Sequence, residues 1–267
     1  MYSMSGIIRR SFASAVVAML AFTAAAQAGD KKPKKASQGW TFEVSPYLWV
    51  TGVSGTVGVP GLPPTDIDLT FNQIIDHIDW PHALFFAAEA RSPDGRWGIF
   101  NDLNYVKLEG EATGPRGHIT ANLSETLLID TVEGGYRFLD DPAVKLDGMA
   151  GARIVYADTQ LDLVGNGPLA LSRSGEASDT WVDPVIAVRG TVRLGSSGFS
   201  LHAYGDVGGF GMNGDLTWQL IGDVDYDFNN WISAYAGIRY LNIQHDNNGF
   251  IFDVVEEGPI LGATLHF

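Results

Sequence analysis

The sequence predicts an all-β fold, a transmembrane antiparallel up-and-down β-barrel of about 10 strands, and three observations lead there. Segment after segment alternates apolar with polar residues, turn-forming residues separate the segments, and the one long apolar run stands at the start, where it reads as an export signal. In a barrel every second side chain meets lipid and the others meet the lumen, so a period of two is the pattern to look for.

Composition narrows the class further. With 267 residues, 32 glycines, 11% aromatic residues and no cysteine, one large closed sheet without disulfides accounts for the chain. Arg9 and Arg10 precede an apolar run from Phe12 to Ala26, and Ala26-Gln27-Ala28 supplies the small-x-small pattern cut by a signal peptidase, so residues 1–28 read as a signal peptide. Residues 29–39, with Lys31-Lys32-Pro33-Lys34-Lys35, read as a basic tail solvated in the periplasm, and 40–267 as the barrel. No later run approaches the roughly 20 apolar residues of a spanning helix.

The first strand alternates from Trp40 to Val50: Trp40, Phe42, Val44, Pro46, Leu48 and Val50 form an apolar face, with Thr41, Glu43, Ser45, Tyr47 and Trp49 opposite. The pattern returns in Val144, Leu146, Gly148, Ala150, Ala152, Ile154 and Tyr156, against Lys145, Asp147 and Arg153, and again over Val182 to Leu194. Counting along the chain places strands at about 40–52, 82–91, 97–110, 118–138, 144–164, 176–195, 199–212, 215–228, 231–245 and 250–267. A twelve-strand count, with Asp66 to Phe71 added in a hairpin, stays open. Short turns at Ser92 to Arg96, Asp140 to Pro142, Gly195 to Gly198 and Asn229-Asn230 share the periplasmic side, and the longest connection, Thr51 to Pro81, lies outside. Within it, Phe71, Ile74, Ile75 and Ile78 have helical spacing over Asn72 to Asp79, which suits either a short helix over the mouth or a loop packing its own apolar side chains at the rim.

Turns set the registers. Pairing Leu194 with Phe199 puts Val192 opposite Leu201 and Ile186 opposite Val207. A two-residue turn at Asn213-Gly214 pairs Met212 with Asp215, which sets Leu220 opposite Val207, His202 opposite Asp225 and Tyr204 opposite Asp223. Around Thr126 to Glu133 and Ile251 to Glu257 neither face stays apolar, so bulges or segments beyond the membrane are expected.

The chain ends in an alternating apolar face, Leu261, Ala263, Leu265 and the terminal Phe267, which resembles the signal read by the barrel-assembly machinery. Ser45-Pro46-Tyr47-Leu48-Trp49 with Gly52 and Gly55, Gly95-Arg96-Trp97-Gly98 and Gly135-Tyr136-Arg137-Phe138 resemble a largely uncharacterised group of proteobacterial outer-membrane barrels. That resemblance covers most of the mature chain and implies a fold and a bacterial outer-membrane location, but no activity.

Function is sought in the lumen. The registers aim Arg189 and Arg193 inward on one strand, Ser200, His202, Tyr204 and Asp206 on the next, and Asp223, Asp225 and Asp227 on the third, with Arg239 inward after an odd-length turn. These charges suit either a salt-bridged filling that keeps the barrel shut or a selective path for a small charged or polar solute. The function expected is a narrow, porin-like channel, with a closed structural or interaction barrel as the alternative. No enzyme is expected: His245-Asp246 points to opposite faces of a strand, and no Gly-x-Ser-x-Gly elbow accompanies it. Six scattered histidines and Asp223-x-Asp225-x-Asp227 match no metal motif, so no metal or cofactor is expected. A net charge of −14 disfavours nucleic acid. The expected partners are outer-membrane lipid and lipopolysaccharide, and the assembly machinery during biogenesis.

Overall fold

The computed structural model describes residues 39–72, 78–113, 119–165, 172–211 and 215–267. The expected signal peptide, with Ala26 and Ala28, the basic cluster, and the Asn213-Gly214 turn all lie outside the described residues, as do Ile74 and Ile75.

Twelve strands form: β1 (Thr41–Trp49), β2 (Gly52–Gly58), β3 (Thr65–Leu69), β4 (Ile78–Arg91), β5 (Trp97–Thr113), β6 (Ile119–Asp140), β7 (Val144–Gly165), β8 (Ser172–Arg193), β9 (Phe199–Gly208), β10 (Leu216–Asp227), β11 (Ile232–Asn247) and β12 (Phe250–His266). Ten of them, β1 and β4 to β12, close an antiparallel barrel through the β1–β12 pairing. The other two are the added hairpin of the twelve-strand count, and they are not part of the ring. Ile78 opens β4, so the helical spacing through Asp79 gives way to a strand there. The ladder satisfies the backbone groups of each strand, which is what lets a sheet cross a bilayer.

Alternation sorts the faces as read. Trp40, Phe42, Ile99, Val188, Leu220, Val224 and Ile238 are exposed on the outside, whereas Tyr47, Trp49, Asp147, Arg153 and Arg239 are buried within. Trp97 and Tyr136 pack edge to face, with ring centroids 4.9 Å apart, near the end that carries residues 39 and 267. Trp218 and Tyr240 stack 4.7 Å apart towards the far end. Trp218 and Tyr226 are eight residues apart on β10, roughly 20 Å along the barrel axis for strands tilted about 40°, so the aromatics bracket a bilayer-sized apolar band.

The β8–β9 register is the expected one, with Val192 opposite Leu201 and Ile186 opposite Val207. The β9–β10 register differs from expectation by two residues: Leu220 lies opposite Gly205, Asp223 opposite His202, and Ile221 opposite Tyr204. A slip of two keeps every side chain on its face, so alternation is indifferent to it. The physical cause is a wider connection. Gly209, Phe210 and Gly211 all have positive φ, the ladder stops at Gly208 and Thr217, and the Gly211 N–H donates to the Asp215 carbonyl at 3.1 Å.

The stretches that resisted alternation are regular. β6 pairs with β5 and β7 without interruption from Thr126 to Glu133, and β12 pairs with β11 residue for residue from Phe250 to Leu265. Apolar residues stand on both faces because much of the far half of the lumen is itself apolar. Leu127, Ile129, Phe252 and Val254 point inward and are buried with Val155, Ala157, Trp181, Leu241 and Ile243.

That filling comes from the β2–β3 hairpin. β12 uses Ile260–His266 side against β1 and its Ile251–Glu257 side against β2, so the chain continues up β12 after leaving the ring. Gly258 marks the departure: a Cβ there would sit 2.0 Å from the Val50 carbonyl oxygen, so only glycine fits the crossing. The hairpin then turns across the mouth. Val53, Val57 and Ile67 join the inner apolar cluster, and Val59 and Leu62 reach Ala121, Leu161 and Ala177 on the opposite strands β6, β7 and β8.

Candidate vestibule

Below the apolar layer the lumen is polar. A cavity of about 760 Å³ occupies the half nearer residues 39 and 267 and is lined by residues from all ten ring strands. Its side chains are placed by the period of two, since each strand contributes every second residue.

Three arginines converge on one carboxylate. Asp147 accepts from Arg137 Nε at 2.9 Å and from Arg189 Nη2 at 3.0 Å, and lies 3.3 Å from Arg91. Arg189 also reaches Glu89 at 2.9 Å, and Glu89 lies 2.7 Å from Arg91. Phe100 supplies an aromatic face beneath the two cations, 4.2 Å from the Arg189 guanidinium carbon and 5.4 Å from that of Arg91. Asp140 lies 3.9 Å from Arg137, so three acids face the three arginines, and Lys145 and Arg193, without an ion-pair partner among the described residues, leave this wall cationic.

Above this cluster a polar belt crosses the barrel. Arg153 donates to Thr131 at 3.1 Å, to Thr217 at 2.6 Å and to Asp206 at 2.6 Å, and its side chain is fully buried. Gln219 donates to Asp206 at 3.2 Å and accepts from Arg239 at 2.7 Å. Arg239 continues to Tyr47 and Asp102, both at 2.8 Å, and stands 4.3 Å over the Trp49 ring. Buried charges persist in such surroundings only when paired and hydrogen-bonded, which these are.

The third group is acidic. Asp223, Asp225 and Asp227 follow one another along the inner face of β10. Asp223 meets His202 Nδ1 at 3.0 Å and Asp225 accepts from Ser233 at 2.9 Å, but none of the three pairs with lysine or arginine among the described residues.

The residues singled out from sequence therefore separate into three sets. Arg189 and Arg193 belong to the cationic wall; His202, Asp223, Asp225 and Asp227 to the acidic one; Asp206 and Arg239 to the belt, with Tyr204 linking Asp206 at 2.8 Å to Glu133 at 3.1 Å. Leu261 and Phe267 are exposed on the outer face with Ala263 and Leu265 in the same alternation. Sequence reasoning did not single out Glu89, Arg91, Arg137, Asp102 and Gln219. Alternation could have marked their faces, but their partners stand far away in the chain, as with Arg189 and Glu89, 100 residues apart. His245 and Asp246 do fall on opposite faces: His245 is buried, stacked 3.9 Å from Trp181 and 2.8 Å from Asp179, while Asp246 is exposed.

Fold and vestibule together define a transmembrane β-barrel of the outer-membrane type, with an apolar layer across one half of the lumen and a polar cavity in the other. No protein-family model matches the chain, and no curated protein matches it. Among solved structures it is similar to the outer membrane protease OmpT of Escherichia coli, at 10% identity and a TM-score of 0.49 over 91% of this chain and 99% of that one. It is also similar to the translocator domain of the autotransporter NalP of Neisseria meningitidis, at 12% identity and a TM-score of 0.45 over 100% and 99%. A third is the attachment invasion locus protein Ail of Yersinia pestis, at 14% identity and a TM-score of 0.33 over 86% and 100%.

Proposed function

We propose that the protein is an outer-membrane barrel held closed by its own hairpin, with the vestibule open to the periplasm and receiving small polar solutes from that side. The observation that carries this reading is the apolar layer across the far half of the lumen. Trp181 on β8 packs 6.0 Å from Phe252 on the opposite strand β12, with Val53, Val57 and Ile67 of the hairpin in the same cluster. Apolar side chains dominate this layer, with Glu125, Thr159 and Glu256 buried among them, so it opposes the passage of water and ions. The short turns and residues 39 and 267 sit at the vestibule end, the arrangement that would place that end in the periplasm. Outer-membrane lipid then covers the apolar band, lipopolysaccharide faces the sealed end, and Leu261, Ala263, Leu265 and Phe267 lie on the face that would meet the assembly machinery.

A narrow channel is the second reading, favoured by how the hairpin is held. Among the described residues β2 pairs with β12 along one edge and β3 pairs with β2 alone, so displacement breaks a single ladder with the wall there. The test is planar-bilayer conductance of the refolded protein beside Val59→Cys/Gly175→Cys. The chain has no cysteine of its own, and a Cβ on Gly175 would lie 2.7 Å from Val59 Cγ2, close enough for a disulfide. Silence in the wild type and in both redox states of the variant supports the closed barrel. Conductance that the disulfide abolishes and reductant restores makes the hairpin a gate. Steady conductance with the disulfide formed overturns the seal.

A further inference from the structure

The vestibule has two walls of opposite sign. We infer that it binds a small zwitterion of two to three residues' length, a short peptide with free amino and carboxyl termini. This rests on the periplasm-facing vestibule proposed above.

Pairing within the cavity is uneven. On the β4, β6, β7 and β8 side, Arg91, Arg137 and Arg189 share Asp147, Glu89 and Asp140, whereas Lys145 and Arg193 have no ion-pair partner among the described residues. On β10, Asp223, Asp225 and Asp227 have no lysine or arginine partner there either. A barrel closed for packing alone would interleave these signs, as the Arg153–Asp206 and Arg239–Asp102 pairs above do. Here they are kept on separate strands that line one cavity, with Ser200 of β9 between Arg193 and Asp225.

Separation sets the size of the ligand. β8 and β10 are two strands apart and β7 and β10 three, roughly 10 to 15 Å along the wall. Side chains reaching inward leave charge centres about 7 to 11 Å apart, which is the span of two or three extended residues at roughly 3.5 Å each. A cavity of about 760 Å³ lies within the range of small-molecule sites. The ligand's carboxylate would meet Lys145 and Arg193, and its ammonium group Asp225 and Asp227.

A separate observation points the same way. Glu133 lines the cavity and is only 4% exposed; one of its oxygens accepts from Tyr204, and the other, Oε1, has no hydrogen-bond partner. A turn of this carboxyl towards the cavity would bring the oxygen to a donor there, and a peptide's N–H groups supply donors.

The test is calorimetric titration of the full protein in lipid nanodiscs with triglycine and three blocked forms: the N-acetyl peptide, the C-terminal amide, and the doubly blocked peptide. Triglycine should bind, and each single block should weaken binding about tenfold, the scale of one charge-assisted hydrogen bond. Lys145→Gln/Arg193→Gln should remove the penalty for amidation alone, and Asp227→Asn the penalty for acetylation alone. Equal binding of all four peptides, or none by any of them, overturns the inference even if a variant misfolds, because the blocked peptides probe the wild type. Conductance judges the seal separately: a silent barrel that binds no peptide sinks only the ligand, and a conducting barrel that discriminates the peptides sinks only the closure.

Discussion

Arg153 offers the sharpest perturbation of the lumen. It and Asp206 are fully buried as side chains, 2.6 Å apart. At that distance the attraction is about 6 kcal/mol for an effective dielectric of 20, against which both desolvation costs must be set. Removing one partner of a buried pair costs about 3–5 kcal/mol, because the other charge is left unpaired. Asp206 would keep Tyr204 at 2.8 Å and Gln219 at 3.2 Å as donors, which argues for the lower figure. Arg153→Met should therefore destabilise the barrel by about 3 kcal/mol, a fall of roughly 1 M in the urea midpoint for a slope of about 3 kcal/mol/M. Arg153→Met/Asp206→Leu should recover most of that loss, since a hydrophobic replacement of the whole pair is often neutral. Tyr204 retains Glu133 as acceptor in the double variant. Tryptophan fluorescence of the protein refolded into vesicles reads both. A loss below about 1 kcal/mol in the single variant, or no recovery in the double, would mean that water reaches the pair and the belt is not dry.

Further expectations concern the other layers. Trp181→Ala empties the centre of the apolar plug, where the ring is 3% exposed, and should cost about 3–5 kcal/mol in the same unfolding assay. Leu220→Arg puts a cation on the lipid face near mid-barrel and should cost about 2–4 kcal/mol, compared in vesicles by refolding yield and midpoint. In the turn between β4 and β5, hydrogen bonds from the Ser92 hydroxyl and the Arg96 N–H hold the Asp94 carboxyl below its usual range. A folded-state value below the unfolded one stabilises above the unfolded value and is lost as pH falls through the folded one. Asp94→Asn should thus lower the unfolding midpoint at neutral pH, and its difference from wild type should begin to shrink as pH falls below about 4; a difference unchanged at pH 3 would count against the turn.

Alternation alone determined which way most strand residues face, and with it the barrel, the lipid band and the inward aim of Arg189, Asp206, Asp223 and Arg239. That legibility has a cause: lipid outside and polar groups inside impose opposite demands on adjacent residues, so the demand is written locally. Register was legible only where a short turn fixed it, as at Gly195 to Gly198, and missed by two at the wider β9–β10 connection, because a shift of two changes no face. Three things were decided by the tertiary structure. Leu127, Ile129 and Phe252 confuse the pattern because the β2–β3 hairpin, drawn from a different part of the chain, makes the lumen around them apolar. Asp147 gathers arginines from β4, β6 and β8, and Arg153 finds Asp206 53 residues on. Closure of the ring creates these neighbours, and sequence spacing carries no trace of a partner across the lumen.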